Sequence, residues 1–183
     1  MKSYIEFKND NPYISIDGKL YPALAYTTYF EECGEFYDFI KSGYRMFFIN
    51  ISFAKMPINN VTTFSPFNTG VFFFFFPDYT EFDGIVNNIL KMCPEAFIFP
   101  RINITMPEKW IKENIYETVE TPSGINRESL FSEKFREDGT RLLKELVLHI
   151  CNSEYAERIA GYQLCGGTTQ EWIHNDLFGS FSE

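Results

Sequence analysis

The sequence predicts an α/β protein in which parallel strand–helix units form the first half of a (β/α)8 barrel, preceded by a short β-hairpin. Three observations carry this expectation. Continuous apolar strands such as 45–52 and 96–104 alternate with segments whose apolar residues recur at helical spacing, and parallel strands joined through helices need such crossovers. No Gly-x-Gly-x-x-Gly or Gly-x-x-x-x-Gly-Lys loop follows any strand, which disfavours the nucleotide-binding open sheets. Finally, four strands in 183 residues fit half of a barrel that typically needs about 250 residues for eight.

In order along the chain, Tyr13 to Tyr21 alternates apolar and polar residues around Asp17-Gly18, a dipeptide suited to the positive φ of a tight hairpin turn. Residues 22–30 read as a first apolar strand, and Phe36, Phe39 and Ile40 as a short helix closed by Gly43. Residues 45–52 form the second strand. Phe82, Ile85, Val86, Ile89 and Leu90 mark one face of the next helix, with Thr80 and Asp83 as a capping pair and Pro94 as its stop. Residues 96–104 form the third strand. A long helix from about Ser132 to Cys151 turns Phe135, Leu142, Leu143, Leu146, Val147 and Ile150 inward, and a fourth strand spans 159–165. The organisation expected is one domain over 1–183, with a hairpin at 1–21 and four β/α units at 22–183.

Composition narrows the function. A net charge of −9 with no local basic patch disfavours nucleic acid. The longest purely apolar run, Val71 to Phe76, is too short to span a bilayer, and the N-terminus lacks a signal-like apolar core. Four cysteines without a Cys-x-x-Cys pair fit free thiols, so a cytoplasmic setting is expected, and no metal-ligand spacing involves His149 or His174. No cofactor is expected.

At 19%, the aromatic content either fills a core or lines a groove for flat ligands. The five rings of Phe72 to Phe76 cannot all face inward, so some meet a partner surface or ligand. Glu171, at the mouth of the fourth strand beside the Trp172 ring, has the setting of a carboxyl with raised proton affinity, suited to acid/base work. In a barrel, strand ends would gather Tyr26, Tyr29, Asn50, Arg101, Asn103, Gln163, Gln170 and Glu171. Arg101 reads either as a donor to a substrate hydroxyl or carboxylate or as part of an internal ion pair. Trp110, in the long connection 106–124, reads either as a sugar platform or as a cover over the core.

Several segments in order resemble one family: Asp83 with its helix, Phe99-Pro-Arg-Ile-Asn103 leading to Pro107-Glu-Lys-Trp110, residues 129–143, and Gly161-Tyr-Gln with Gly167-Thr-Thr-Gln-Glu-Trp172. Together they are similar to β-galactosidase-type glycoside hydrolases of family 42, retaining enzymes with (β/α)8 barrels. The resemblance implies hydrolysis of O-glycosidic bonds with Glu171 as acid/base, and Arg101, Asn103, Trp110, Gln163, Gln170 and Trp172 as substrate contacts. The residue before the acid is commonly Asn in that family and here is Gln170. The nucleophile would be a glutamate on a seventh strand that this chain lacks; Glu108, Asp176 and Glu183 are poorly placed substitutes. Alternatively, the chain is a non-catalytic binding or assembly module that pairs with itself or with a partner supplying the rest of the barrel.

Overall fold

The computed structural model describes residues 1–28, 34–53, 78–120, 126–167 and 172, and the backbone alone of 57–58 and 61–62. Chain order begins with three antiparallel strands, β1 (Ser3–Lys8), β2 (Asn11–Ile16) and β3 (Lys19–Pro22), arranged β1-β2-β3. Both turns between them are two-residue turns with positive φ at each position, Asn9 and Asp10 at 51° and 61° and Asp17 and Gly18 at 47° and 83°. This backbone twist suits tight hairpins, and Asn, Asp and Gly tolerate it best.

Strand β4 (Tyr26–Thr27) and helix α1 (Phe36–Lys41) follow, then β5 (Met46–Ser52) and a two-stranded antiparallel pair, β6 (Pro57–Ile58) and β7 (Val61–Thr62). Next come α2 (Thr80–Met92), β8 (Phe97–Asn103), α3 (Glu108–Glu113), a 3-10 turn at Ile115–Glu117, and the antiparallel pair β9 (Thr118–Glu120) and β10 (Asn126–Glu128). The chain continues into α4 (Glu133–Cys151), a 3-10 turn at Ala156–Arg158, and β11 (Gln163–Cys165).

A four-stranded sheet has the order β11-β8-β5-β4. Its strands run parallel: Tyr26 pairs with Phe47, the Phe97 N–H donates to the Arg45 carbonyl and the Phe53 N–H to that of Asn103, and Ile98 bridges Ile159. The expectation of four parallel β/α units making half a (β/α)8 barrel is not met. Among the described residues the fold is mixed, with antiparallel sheets in addition to this parallel one and four unequal helices. The physical reason lies in the lengths. The described part of the apolar run, 22–28, supplies a two-residue strand to the parallel sheet, α1 is six residues long, and the β5 to α2 connection carries its own antiparallel pair. Residues 3–8, which show no clean alternation, form β1 and extend the hairpin into a sheet.

Two compact units make up the chain. The first comprises 1–50, 80–101 and 153–163; the second comprises 51–79, 102–152 and 164–183. In the first, Ile16, Met46, Phe97 and Ala160 form a buried cluster against which Ile14, Tyr21, Ala25 and Phe99 pack. Helix α2 packs on α1 and buries Phe82, Val86 and Ile89. Tyr155 stacks edge-on against Phe82 and its hydroxyl donates to Asp83. In the second, α4 is the longest element. Ser132 caps it by accepting the Phe135 N–H at 3.0 Å and in turn donates to Glu117 Oε2 at 2.6 Å. Its buried positions are Phe135, Gly139, Leu142, Leu146 and Ile150, and Tyr79 stacks on His149 with ring centroids 4.0 Å apart.

Candidate functional site

In the first unit, alternation along β5 and β8 places Phe48 and Asn50, and Phe99 and Arg101, at half-buried positions between fully buried neighbours. The two rings stack at 5.0 Å, and Arg101 Nη1 donates to Asn50 Oδ1 at 3.2 Å. Asn50 Nδ2 donates to the Thr28 carbonyl, so a polar ladder runs across three strand ends. These bonds tie the strands to one another. Gly161 lies against the Phe99 ring, where a Cβ would stand 3.3 Å away. Gln163 is exposed on β11. Tyr26 packs among Phe36, Phe39 and Phe47, and its hydroxyl accepts the Glu35 N–H at 3.1 Å.

In the second unit, Asn103 is buried, and its side-chain oxygen accepts the Thr105 N–H at 3.0 Å, turning the chain as it leaves β8. The following residue, Met106, donates its N–H to Glu128 Oε2 at 3.2 Å. Glu128 is 1% exposed, at the end of β10 opposite Thr118. Burial pushes its carboxyl up to about 7, against the lowering effects of the Glu128 and Met106 amides, the Arg127 charge and the Thr105 hydroxyl. Nothing in the spacing of Asn126-Arg-Glu128 marks this residue, because a three-residue strand reads as a solvated turn and only tertiary packing covers it.

Trp110 sits on α3 and donates its indole N–H to Asp138 Oδ2 at 2.7 Å, with its ring edge-on to Phe135. It thereby fastens α3 to α4. Asp138 also meets Lys134 at 3.1 Å; burial raises its carboxyl, yet the Trp110 and Lys134 donors and the Lys134 and Arg141 charges leave it below the usual range.

Trp172 has a different setting. Its φ is +62°, a strained backbone conformation for a bulky residue. Its N–H donates to the Gly166 carbonyl at 2.8 Å and its indole N–H to the Leu164 carbonyl at 3.2 Å. The ring lies on Gly166, where a Cβ would stand 3.4 Å from it. Although held at these points, the residue is 42% exposed and walls a groove of about 420 Å³ with Ile104, Leu130, Phe135, Arg136 and Leu164. Thr140 on α4 also lines it.

The structure thus pairs Arg101 with Asn50, buries Asn103, engages Trp110 in helix packing and opens a groove at Trp172. Gln170, Glu171, Tyr29, His174, Asp176, Glu183, Cys33 and the Phe72 to Phe76 run lie outside the described residues. Among the described residues no group of three or more His, Cys, Asp or Glu side chains is placed to hold a metal ion, and no helix is long and apolar enough to cross a membrane. No family model matches the chain, and no curated protein or solved structure matches it.

Proposed function

We propose that the chain is a carbohydrate-active protein that lays a sugar ring against Trp172 and uses the adjoining Glu171 as acid/base on a glycosidic bond. The observation that carries this reading is the fixed, half-exposed indole of Trp172 at the wall of a groove whose volume suits a small ligand. A pyranose presents an apolar C–H face to such a ring and hydroxyls at its edge, where Arg136 and Thr140 supply polar groups. Retaining hydrolysis needs a second carboxyl about 5–5.5 Å from the first. Glu108 does not serve, because it is exposed on α3 and paired with Lys112 at 2.5 Å. On this reading the second carboxyl comes from a partner of this chain.

The test has two arms. Titration with methyl β-galactoside, followed by isothermal titration calorimetry, should saturate, and Trp172→Ala should abolish binding. Turnover of a chromogenic β-galactoside by the chain with its partner should fall about 10²- to 10⁴-fold in Glu171→Gln. Unchanged binding in the first variant or unchanged turnover in the second refutes the assignment.

A second reading, assembly with a partner, is favoured by two exposed rings. Tyr116 and Phe131 are 99% and 86% exposed, on segments joined where the Ser129 N–H donates to the Glu117 carbonyl. Sedimentation of wild type and of Phe131→Ser with Tyr116→Ser distinguishes it: a wild-type assembly that dissociates in the double variant supports this surface, and identical monomers reject it.

A further inference from the structure

The inner face of α4 has five buried positions, and one of them, Gly139, has no side chain. Glycine inside a helix is disfavoured relative to alanine because the unfolded chain gives up more freedom there. Two structural demands commonly account for such a residue, and neither applies. Its φ is not among the positive ones, so the backbone does not require glycine. Nor does another segment press on it: among the described residues, the one atom within 4 Å of a Cβ built there is Phe135 Cε2 at 3.7 Å, an ordinary contact within the same helix. Among the described residues an alanine at 139 meets no close contact.

An added side chain would instead occupy the groove, because Gly139 lines it together with Phe135, Leu143 and Trp172. The helix forgoes stability at an inner position that borders this space. We infer that Gly139 is a specificity-determining position, a bare stretch of helix that admits the edge of a sugar ring and sets the largest ring the groove accepts. This inference rests on the carbohydrate reading above. The peptide groups of a helix interior are already hydrogen-bonded along the axis, so the selection exerted here is by size. Trp172 supplies the face of the ring, and Gly139 supplies the room.

The experiment compares wild type, Gly139→Ala, Gly139→Leu and Trp172→Ala for thermal unfolding and for affinity toward methyl β-galactoside. Gly139→Ala should raise Tm by about 2–4 °C while weakening binding about tenfold, the effect of one extra methyl group in a fitted apolar pocket. Gly139→Leu should remain folded and show no binding. If both Gly139 variants bind as wild type does while Trp172→Ala fails, the groove binds sugar but Gly139 does not set its size, and the inference is overturned. A fall in Tm for Gly139→Ala overturns it as well, since packing would then require the glycine. If wild type does not bind, or Trp172→Ala binds normally, the carbohydrate reading itself fails and the inference falls with it.

Discussion

Replacing Glu128 by glutamine tests the most unusual electrostatic feature of the second unit. Its carboxyl is 1% exposed and is raised from the ordinary 4.5 to about 7 by burial. A raised carboxyl means that the folded chain binds the proton more tightly than the unfolded chain. The stabilisation is therefore fully present below about pH 4.5 and is lost as pH rises through about 7. At ~1.4 kcal/mol for each tenfold change in proton affinity, the displacement corresponds to about 3 kcal/mol between the two limits, a large part of a typical folding free energy of about 5–15 kcal/mol. Glutamine keeps the shape and cannot ionise, at the cost of an amide that needs an acceptor, about 1 kcal/mol. Urea denaturation at pH 5, 6, 7 and 8 should show the wild type losing stability relative to Glu128→Gln across this window, with the variant equal or less stable at pH 5 and more stable at pH 8. Groups common to both proteins cancel in the difference. A difference independent of pH would refute the reasoning, because it would mean that Glu128 titrates alike in folded and unfolded chains.

Three further outcomes follow from named contacts. Ser132→Ala removes the cap of α4 and the donor to Glu117, and should lower stability by about 1–2 kcal/mol in chemical denaturation. Leu146→Ala, at a fully buried position of the same helix, should lower it by about 2–5 kcal/mol through lost burial and the cavity left behind. Trp110→Phe keeps the ring against Phe135 but deletes the donor to Asp138, and should cost about 1 kcal/mol at neutral pH. That loss should shrink in acid, since the depressed Asp138 carboxyl contributes stability above its unfolded range and loses it as pH falls through the folded value.

What the sequence reveals about the fold depends on how local each signal is. The turn at Asp17-Gly18, the start of α4 near Ser132 and its inward stripe are legible because each depends on residues within one or two turns of chain. Asn9-Asp10 carries the same kind of signal, since both residues adopt positive φ, yet its flanking strand β1 exposes Tyr4, Ile5 and Phe7 together and so lacks the alternation that defines a half-buried strand. The barrel expectation fails for a non-local reason. An apolar run states that a segment is buried, but its length as a strand is set by hydrogen-bond partners, and of the described residues 22–28 of that run two pair with β5.

The candidate site divides along the same line. Asn50 and Arg101 are readable as strand-end polar residues, and Trp172 as a ring following a glycine-rich turn, because polarity and turn composition are properties of the residue and its neighbours. Glu128 and Gly139 are not readable in that way. A glutamate in a short strand and a glycine in a helix each look like routine surface chemistry until the packing shows that one is covered and the other borders a groove. Each then departs from what stability alone would select: glutamine at 128 would avoid burying an ionisable group, and alanine at 139 would strengthen the helix. A sequence optimised only to fold would have little reason to retain either. On the proposal that the second unit binds a ligand, both residues and the strained Trp172 backbone are places where stability is given up.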